Sequence, residues 1–415
     1  MARLKVRNIV VPRYENVVGA RTRCIPVTNS ERGLLGCSAK YRYGAVAKLR
    51  TKNTSDKLLF GSCWHKCLER FHLYAKEGTT DWFVEDVVDD ALMDVRKQDL
   101  NGYPDIDWQE FKVRLLPLFN AWLERGAWDL ATNQYRVVAV EKELAVPVVD
   151  PRNGKLFTPV TALTRTNTGY AVAGFGNQVC STVRWPYYQF FTLDALYQCR
   201  QTGNLWVFEA KTAASPKQRI QTALMDPQLS GYCYATQLAV QSGLIDGVKN
   251  DAEVTGYIFD AVCNKPMSKP KINKNGSLSK QTKPTSYALR SWIREEKLDP
   301  EDYMSEILNA QMMTDGTWFQ QVTGTCGVEV RERFALELFG SVNRIAKHKS
   351  DATKCKTTLD VHAAFPRTPI CMGGWCQYKS ICLQDDPIGR LNFETSEGVK
   401  WPFITKEEEE KELSW

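Results

Sequence analysis

The spacing of apolar residues changes along the chain and predicts the order of its elements. Between residues 58 and 76 the apolar positions recur at helical spacing, which predicts a helix. A second helix is predicted over residues 108–125, bent at Pro117 because proline lacks the N–H that the helical hydrogen bond needs. From residue 135 to residue 148 the pattern becomes β-branched and alternating, which indicates a strand or a strand pair.

The middle of the chain continues with a hairpin, a helix and a strand. Residues 190–199 and 205–212 are strand-like and flank the polar turn QTGN, which is typical of a hairpin. Asp226-Pro227 has the composition of a helix start, and the helix is expected to reach about residue 242. Residues 252–262 alternate again as a strand. With mainly helical flanks, this order predicts a mixed α/β protein.

Composition narrows the class of protein without identifying it. The chain has 415 residues, 43% hydrophobic and 25% charged, which suits two or three domains or one core with large insertions. No apolar run is long enough for a membrane span, and the first residues lack the apolar segment of a secretory signal. We therefore expect a cytoplasmic protein, in which an odd number of cysteines, 13, argues against a disulfide scaffold.

The net charge of +6 permits a polyanionic partner without requiring one, but the charge is unevenly distributed. Residues 263–294 contain no acidic residue. Their basic residues are Lys265, Lys269, Lys271, Lys274, Lys280, Lys283, Arg290 and Arg294. Such a segment is either a solvated loop or an arm that contacts phosphates, and charge alone does not decide between them.

The second hairpin strand ends in Glu209-Ala210-Lys211, an unusual ending for an apolar strand. Residues two apart on a strand share a face, so the carboxylate and the ammonium lie about 7 Å apart along the chain. Asp194 in the preceding strand can lie beside them. Two carboxylates and a backbone carbonyl suit Mg²⁺, and a neighbouring lysine can orient a water for phosphodiester hydrolysis. The alternative is an ordinary ion pair, since Glu-x-Lys is common by chance.

Other residues in order along the chain strengthen the hydrolytic interpretation. These are an early cysteine followed by aromatic and basic residues at Cys37, a Gly-x-x-x-His at Gly61 to His65, the Asp194 and Glu209-Ala210-Lys211 hairpin, and a Gln-x-x-x-Tyr at Gln228 to Tyr232. In this order they resemble the motifs of the PD-(D/E)XK nuclease superfamily. The closer likeness is to its RecB-like branch, including phage-encoded members and the iron–sulfur nucleases of CRISPR adaptation.

The resemblance implies a restriction-endonuclease-like fold, a mixed sheet flanked by helices. It divides the chain into an N-terminal helical region (1–134), a nuclease core (135–262), the basic loop (263–294) and a C-terminal helical, cysteine-bearing region (295–415). It also implies a Mg²⁺- or Mn²⁺-dependent DNA nuclease, expected to be an exonuclease. A phage-encoded protein of this kind would act in recombination, replication or DNA processing in the bacterial host cytoplasm, with a phage recombination or replication protein as partner.

The resemblance also gives roles to individual residues. The divalent metal would be held by His65, Asp194, Glu209 and the carbonyl of Ala210. The catalytic set would be Asp194, Glu209, Lys211, Gln228 and Tyr232, with the lysine positioning the attacking water. Glu141 and Glu143 share a face of the predicted strand, and we expect Glu143 to be the additional carboxylate.

Late cysteines form the last candidate site. Cys371, Cys376 and Cys382 are separated by four and five residues, with glycines between them that let a loop wrap a ligand. Together with Cys37 they resemble the four ligands of a 4Fe–4S cluster in the RecB-like iron–sulfur nucleases. Zinc is the main alternative for four thiolates, and reduced cysteines without metal are the other.

Two further classes of protein remain as rivals. A non-catalytic DNA-binding or scaffold protein could retain the nuclease fold, although the joint presence of Asp194, Glu209 and Lys211 argues against it. An iron–sulfur redox protein would account for the cysteines but would leave the hairpin carboxylates unexplained.

Overall fold

The structure is a computed structural model that divides into two compact units. The central unit comprises residues 54–142 and 192–327, and the terminal unit comprises residues 1–53, 143–191 and 328–415. The described residues are 24–46, 49–51, 56–98, 107–127, 134–166, 169–173, 178–223, 226–267, 269–274, 277–279, 283–311, 317–356, 358–366, 376–378, 382 and 393–395.

Both units contain helices and strands. The helices are α1 (Asn29–Gly33), α2 (Ser38–Tyr41), α3 (Asp56–Glu77), α4 (Val84–Gln98), α5 (Trp108–Trp122), α6 (Pro216–Ala223), α7 (Pro227–Gln241), α8 (Ser286–Glu295), α9 (Met304–Gln311), α10 (Val328–Lys354) and α11 (Thr358–Ala364). The strands are β1 (Ile25–Val27), β2 (Leu49–Thr51), β3 (Tyr135–Pro147), β4 (Val149–Asp150), β5 (Lys155–Leu156), β6 (Thr161–Thr166), β7 (Gly169–Val172), β8 (Ser181–Val183), β9 (Tyr187–Cys199), β10 (Leu205–Ala213), β11 (Val254–Cys263), β12 (Phe319–Thr325) and β13 (Phe393–Thr395).

A mixed sheet forms the middle of the central unit. Strand β9 runs antiparallel to β10, β10 runs parallel to β11, and β11 runs antiparallel to β12, while β3 lies beside β9. The parallel pair requires a crossover, which α6 and α7 provide. A mixed sheet flanked by helices confirms the predicted fold class, which is consistent with a restriction-endonuclease-like fold.

The core of the central unit is an aromatic cluster between α3 and α5. The ring of Trp64 meets those of Phe119 and Trp122 edge-on, with centroids 5.9 and 6.3 Å apart. Phe71 lies about two turns after Trp64 on the same face of α3, and its ring centroid lies 5.1 Å from that of Trp122. These side chains are almost fully buried. Burying an aromatic side chain of this size stabilises the folded state by about 1.5–3 kcal/mol, so the cluster fixes α3 against the rest of the unit.

The elements predicted from the pattern of the middle of the chain are confirmed. The predicted helix over 58–76 is α3, and the predicted hairpin is β9 and β10. Its turn contains Gly203 at a φ of 75°, a conformation that favours glycine. The predicted helix start is also confirmed, because the side chain of Asp226 accepts a hydrogen bond from the N–H of Gln228 at 2.9 Å.

The acid-free segment 263–294 is only partly a loop. Its last residues belong to α8, whose N-cap Thr285 accepts a hydrogen bond from the N–H of Ala288 at 3.3 Å. Leu289, Trp292 and Ile293 are buried on one face of that helix. The sequence contains both signals of a helix, a threonine cap and apolar residues at helical spacing, within a segment whose basic residues are typical of a loop.

The terminal unit holds a half-buried ion pair. Lys349 on α10 lies 3.0 Å from Glu31 on α1, and the hydroxyl of Tyr41 donates to Glu31 at 2.7 Å. The ring of His348 stacks between those of Tyr41 and Phe365, with centroids 5.1 and 5.3 Å apart. These contacts join α1, α2 and α10, and Cys37 is the N-cap of α2.

None of the helices within the described ranges is both long enough and apolar enough to span a membrane.

The pairing of β11 with β12 predicts a sensitive position. A Cβ at Gly256 would overlap the carbonyl oxygen of Gly324 on the neighbouring strand. We expect Gly256→Ala to lower the free energy of unfolding by about 1–3 kcal/mol, because backbone atoms must move to admit the methyl group. Gly327→Ala is the matched control, since no atom lies within 4 Å of its added Cβ. Denaturant unfolding measures both, and equal stabilities of the two variants would contradict the strand pairing.

Candidate active site

Strand β10 carries the central carboxylate of the site. Phe208 and Ala210 belong to the apolar cluster that packs with α3 and α5. Glu209 alternates with them and therefore leaves that cluster. Glu209 is only 1% exposed, and its Oε2 atom has no hydrogen-bond partner among the described residues. A buried carboxylate oxygen without a partner is costly unless a cation or a proton compensates it.

Lys211 supplies part of that compensation. Its Nζ contacts Oε1 of Glu209, two residues along the same strand. Even so, burial and the nearby charge of Asp194 raise the pKa of Glu209 to about 8. Burial alone would lower the pKa of Lys211, but the two carboxylates raise it above its usual value. One lysine therefore does not stabilise the ionised forms of both buried carboxylates at neutral pH.

Asp194 lies on the adjacent strand β9 and connects β10 to α3. Its Oδ2 accepts a hydrogen bond from the N–H of Ala210 at 2.8 Å, and its Oδ1 lies 3.3 Å from Nδ1 of His65. Burial would raise the pKa of Asp194, but His65, Lys211 and the Ala210 N–H together lower it. Burial would lower the pKa of His65, but Asp194 raises it above its ordinary value. The structure therefore brings together five of the predicted site residues, namely His65, Asp194, Glu209, Ala210 and Lys211.

The glycine of the Gly-x-x-x-His pattern has a steric explanation. A Cβ at Gly61 would lie 3.1 Å from Oγ1 of Thr212, which follows Lys211 on β10. That is closer than ordinary van der Waals contact, so the missing side chain allows α3 to approach β10. His65 lies one helical turn further along α3 and so comes within reach of Asp194.

The Gln-x-x-x-Tyr residues also reach the site. Nε2 of Gln228 donates to Oε1 of Glu209 at 3.4 Å and to the hydroxyl of Tyr232 at 2.5 Å. Both lie on α7, four residues apart and therefore on one helix face. Asp226 fixes the start of that helix, and Arg219 on α6 pairs with Asp226 at 3.0 Å. Arg219 was not among the residues predicted from the sequence, where its signal is its position in the acid-free stretch after Lys211.

The additional carboxylate requires a correction. Glu141 has a φ of 43°, which breaks the alternation of β3 that placed Glu141 and Glu143 on one face. Glu143 is exposed. Burial and the charges of Asp194 and Glu69 raise the pKa of Glu141 to about 7. The structure therefore favours Glu141 over Glu143 as the third acidic residue near Asp194, and the signal was not visible in the strand pattern.

The residues of the site fit a divalent cation of the hard, oxygen-preferring type. The described residues contain no group of three or more His, Cys, Asp or Glu side chains already arranged for a metal ion. However, Oε2 of Glu209 is buried and has no partner in the part of the chain that the structure describes, and Asp194 lies close enough to oppose the ionisation of Glu209. Carboxylate oxygens of this kind are the ligands that Mg²⁺ and Mn²⁺ prefer.

The cysteines predicted to bind a cluster are placed in part. Cys37 and Cys382 are buried in one small cluster with Ala39. Cys376 is half-buried, and Cys371 lies outside the described residues. The structure therefore brings the early cysteine to one of the late ones.

The lysines predicted to contact nucleic acid are exposed wherever they are described. They are Lys265, Lys269, Lys271, Lys274 and Lys283, while Lys280 lies outside the described residues. Exposure is what both a solvated loop and a phosphate-contacting arm would show, so this role stays a prediction.

Comparison with known proteins identifies the family of the chain. A family model described as the PD-(D/E)XK nuclease superfamily matches residues 32–383. The chain belongs to the PD-(D/E)XK nuclease superfamily. The match spans every element that contributes to the site of this superfamily member, from His65 on α3 to Tyr232 on α7. No curated protein matches the chain significantly.

The raised pKa values predict how cation binding depends on pH. Below pH 8 Glu209 is largely protonated, and a bound divalent ion would displace that proton. We expect the affinity for Mn²⁺ to rise between pH 6 and pH 8 by up to about tenfold per pH unit for one released proton. Calorimetry in buffers of different ionisation enthalpy measures the proton release.

Glu209→Gln should abolish this pH-dependent binding, while Glu143→Gln, which changes an exposed carboxylate, should leave it intact. Mn²⁺ affinity that is independent of pH in the parent protein would contradict the charge balance described for the site.

Proposed function

We propose that this protein is a metal-dependent nuclease that hydrolyses phosphodiester bonds in DNA. The observation that carries the proposal is the buried Glu209, paired with Lys211 and held near Asp194. An isolated structural ion pair would not need a second carboxylate beside it, because like charges in a buried place destabilise each other. A metal-dependent hydrolytic site uses both carboxylates to hold the cation and can use the lysine to orient a water.

The residues then have the following roles. Asp194, Glu209 and the carbonyl of Ala210 would hold Mg²⁺ or Mn²⁺, with His65 beside them. The bound cation would act as a Lewis acid on the phosphate and lower the pKa of a water. Lys211 would orient that water through its ammonium group. Gln228, which also donates to Tyr232, holds the carboxylate of Glu209 from α7 and limits its rotation.

Finer features of the proposal rest on the motif order. The resemblance to the RecB-like branch supports an exonuclease, and the resemblance to phage-encoded members supports a role in recombination, replication or DNA processing. The partner would then be a phage recombination or replication protein, and the location would be the cytoplasm of a bacterial host. The exposed lysines of segment 263–294 support DNA as the substrate, because they offer charge to a phosphate backbone.

A 4Fe–4S cluster on the cysteines is a second part of the proposal. The buried proximity of Cys37 and Cys382 supports it, since a cluster requires ligands from distant parts of the chain to meet. Cys376 and Cys371 would complete the set. Zinc bound to the same cysteines remains the alternative, because softness of the ligands does not separate the two metals.

Variants of the three site residues test the nuclease proposal. Asp194→Ala and Glu209→Ala should remove Mn²⁺ binding and reduce cleavage of DNA by at least about 100-fold, because both lose a metal-binding carboxylate. Lys211→Ala should retain most Mn²⁺ binding and lose cleavage to a similar extent. Cleavage of end-labelled linear DNA and of circular DNA measures this and separates exonuclease from endonuclease action.

Lys112→Ala is the control for that experiment. It removes a lysine of α5 that is also paired with a carboxylate, Asp89 on α4 at 2.6 Å, but that is not among the site residues. It should cleave like the parent protein. A parent protein that binds DNA but does not cleave it with Mg²⁺ or Mn²⁺ would support the non-catalytic DNA-binding alternative instead.

The cluster is tested by the metal content of anaerobically purified protein. The parent should be brown and contain iron, and Cys382→Ser should lose iron and thermal stability together, because Cys382 is buried beside Cys37. Cys180→Ser, at an exposed cysteine, should change neither. A colourless parent protein with stoichiometric zinc would show that the cysteines bind zinc and not an iron–sulfur cluster. A parent protein without metal would exclude both metals at the cysteines.

A further inference from the structure

Helix α6 begins directly after the strand that carries Glu209 and Lys211. Residues 212–225, which include this helix, contain no acidic residue, and their charged residues are Lys217 and Arg219. The helix packs against β10, β11 and β12 in the central unit. Its charged side chains are therefore attached to the same rigid sheet that positions the catalytic hairpin.

Arg219 is held in a defined position on α6. Its Nη2 donates to Oδ2 of Asp226 at 3.0 Å, and its Nη1 donates to Oγ1 of Thr222 at 3.2 Å. The guanidinium lies over the ring of Phe259, 5.4 Å from the centroid. Its side chain is still 26% exposed, so part of the guanidinium faces solvent. An arginine anchored in this way loses little freedom when it binds a further anion.

Asp226 connects this arginine to the catalytic carboxylate. Its Oδ1 accepts the N–H of Gln228 at 2.9 Å, and Nε2 of Gln228 donates to Oε1 of Glu209 at 3.4 Å. A short chain of hydrogen bonds therefore runs from Arg219 to Glu209.

Asp226 and Thr222 each engage one nitrogen of the Arg219 guanidinium, and part of the side chain stays in solvent on the helix that follows Lys211. The Asp226 carboxylate also serves as the N-cap of α7. A further anionic group can therefore reach the exposed part of the guanidinium. A phosphodiester fits, because the planar guanidinium of arginine matches the geometry of phosphate oxygens.

We propose that Arg219 binds the phosphate backbone of the substrate strand beside the scissile phosphodiester, and that Asp226 holds its guanidinium in place. The proposal rests on the proposed nuclease function for the identity of the substrate. Arg219 would add one phosphate contact that neither the predicted metal ligands nor the basic segment 263–294 provides.

The salt dependence of DNA binding tests the contact. A fluorescein-labelled duplex with a single-stranded tail is titrated with the full-length protein in the absence of divalent cations, which prevents hydrolysis. Arg219→Gln should reduce the affinity by about tenfold or more and flatten the log–log salt slope by about 0.9, the value for one duplex phosphate contact. Arg219→Lys should keep the slope, because it keeps the charge.

A matched control variant separates phosphate binding from a structural ion pair. Arg70→Gln removes an arginine paired with Asp94 at 2.7 Å and similarly exposed, at 34% against 26% for Arg219, and should keep the parental slope. Asp226→Asn tests the positioning role: it keeps the N-cap but weakens the ion pair with Arg219, so it should lower the affinity less than Arg219→Gln does and keep the slope.

A parental slope in Arg219→Gln would overturn the proposal. So would an equal loss of slope in Arg219→Gln and Arg70→Gln, because the effect would then be one of net charge.

Failure of the inference and failure of the proposed function are distinguishable. A parent protein that cleaves DNA, combined with a parental salt slope in Arg219→Gln, removes the phosphate contact and leaves the nuclease proposal standing. A parent protein that does not cleave DNA, combined with a flattened slope in Arg219→Gln, removes the nuclease proposal and leaves Arg219 as a DNA phosphate contact.

Discussion

The buried carboxylate of Glu209 is the constraint around which the central unit is arranged. Its Oε1 meets Lys211 and Gln228, while its Oε2 has no partner among the described residues. Asp194 adds a second negative charge nearby and helps to raise the pKa of Glu209. Burying such a group without full compensation costs stability, and proteins keep such groups where the charge is used.

Each surrounding element makes that arrangement possible in its own way. The N–H of Ala210 fixes Asp194, and the absence of a side chain at Gly61 lets α3 approach β10 so that His65 can reach Asp194. The aromatic cluster of α3 and α5 holds the helix in that position. On α7, the cap at Asp226 sets the helix start from which Gln228 reaches the carboxylate. The site therefore depends on backbone positions as much as on its titratable side chains.

Much of this could be predicted from the sequence, because strong local signals set it. The hairpin follows from its turn, the capped helix from an aspartate–proline pair, and the helix before the site from its apolar periodicity. The order of the motifs predicted that Asp194, Glu209 and Lys211 share a site. The third carboxylate could not be predicted, because the positive φ of Glu141 reverses the alternation expected for a strand. The two compact units could not be predicted either, since each is assembled from separated segments. The pairing of Arg219 with Asp226 depends on a contact between two helices that no local pattern records.

The most direct test of the central claim is a crystal structure of the full chain with Mn²⁺, using the anomalous signal of manganese. The account predicts an anomalous peak within coordination distance of carboxylate oxygens of both Asp194 and Glu209, with Lys211 displaced from Glu209 by the new charge. It also predicts that Glu143 contributes no ligand. A saturating concentration of Mn²⁺ that gives no peak at these carboxylates, with the Glu209–Lys211 contact unchanged, would show that the pair is structural and would contradict the account.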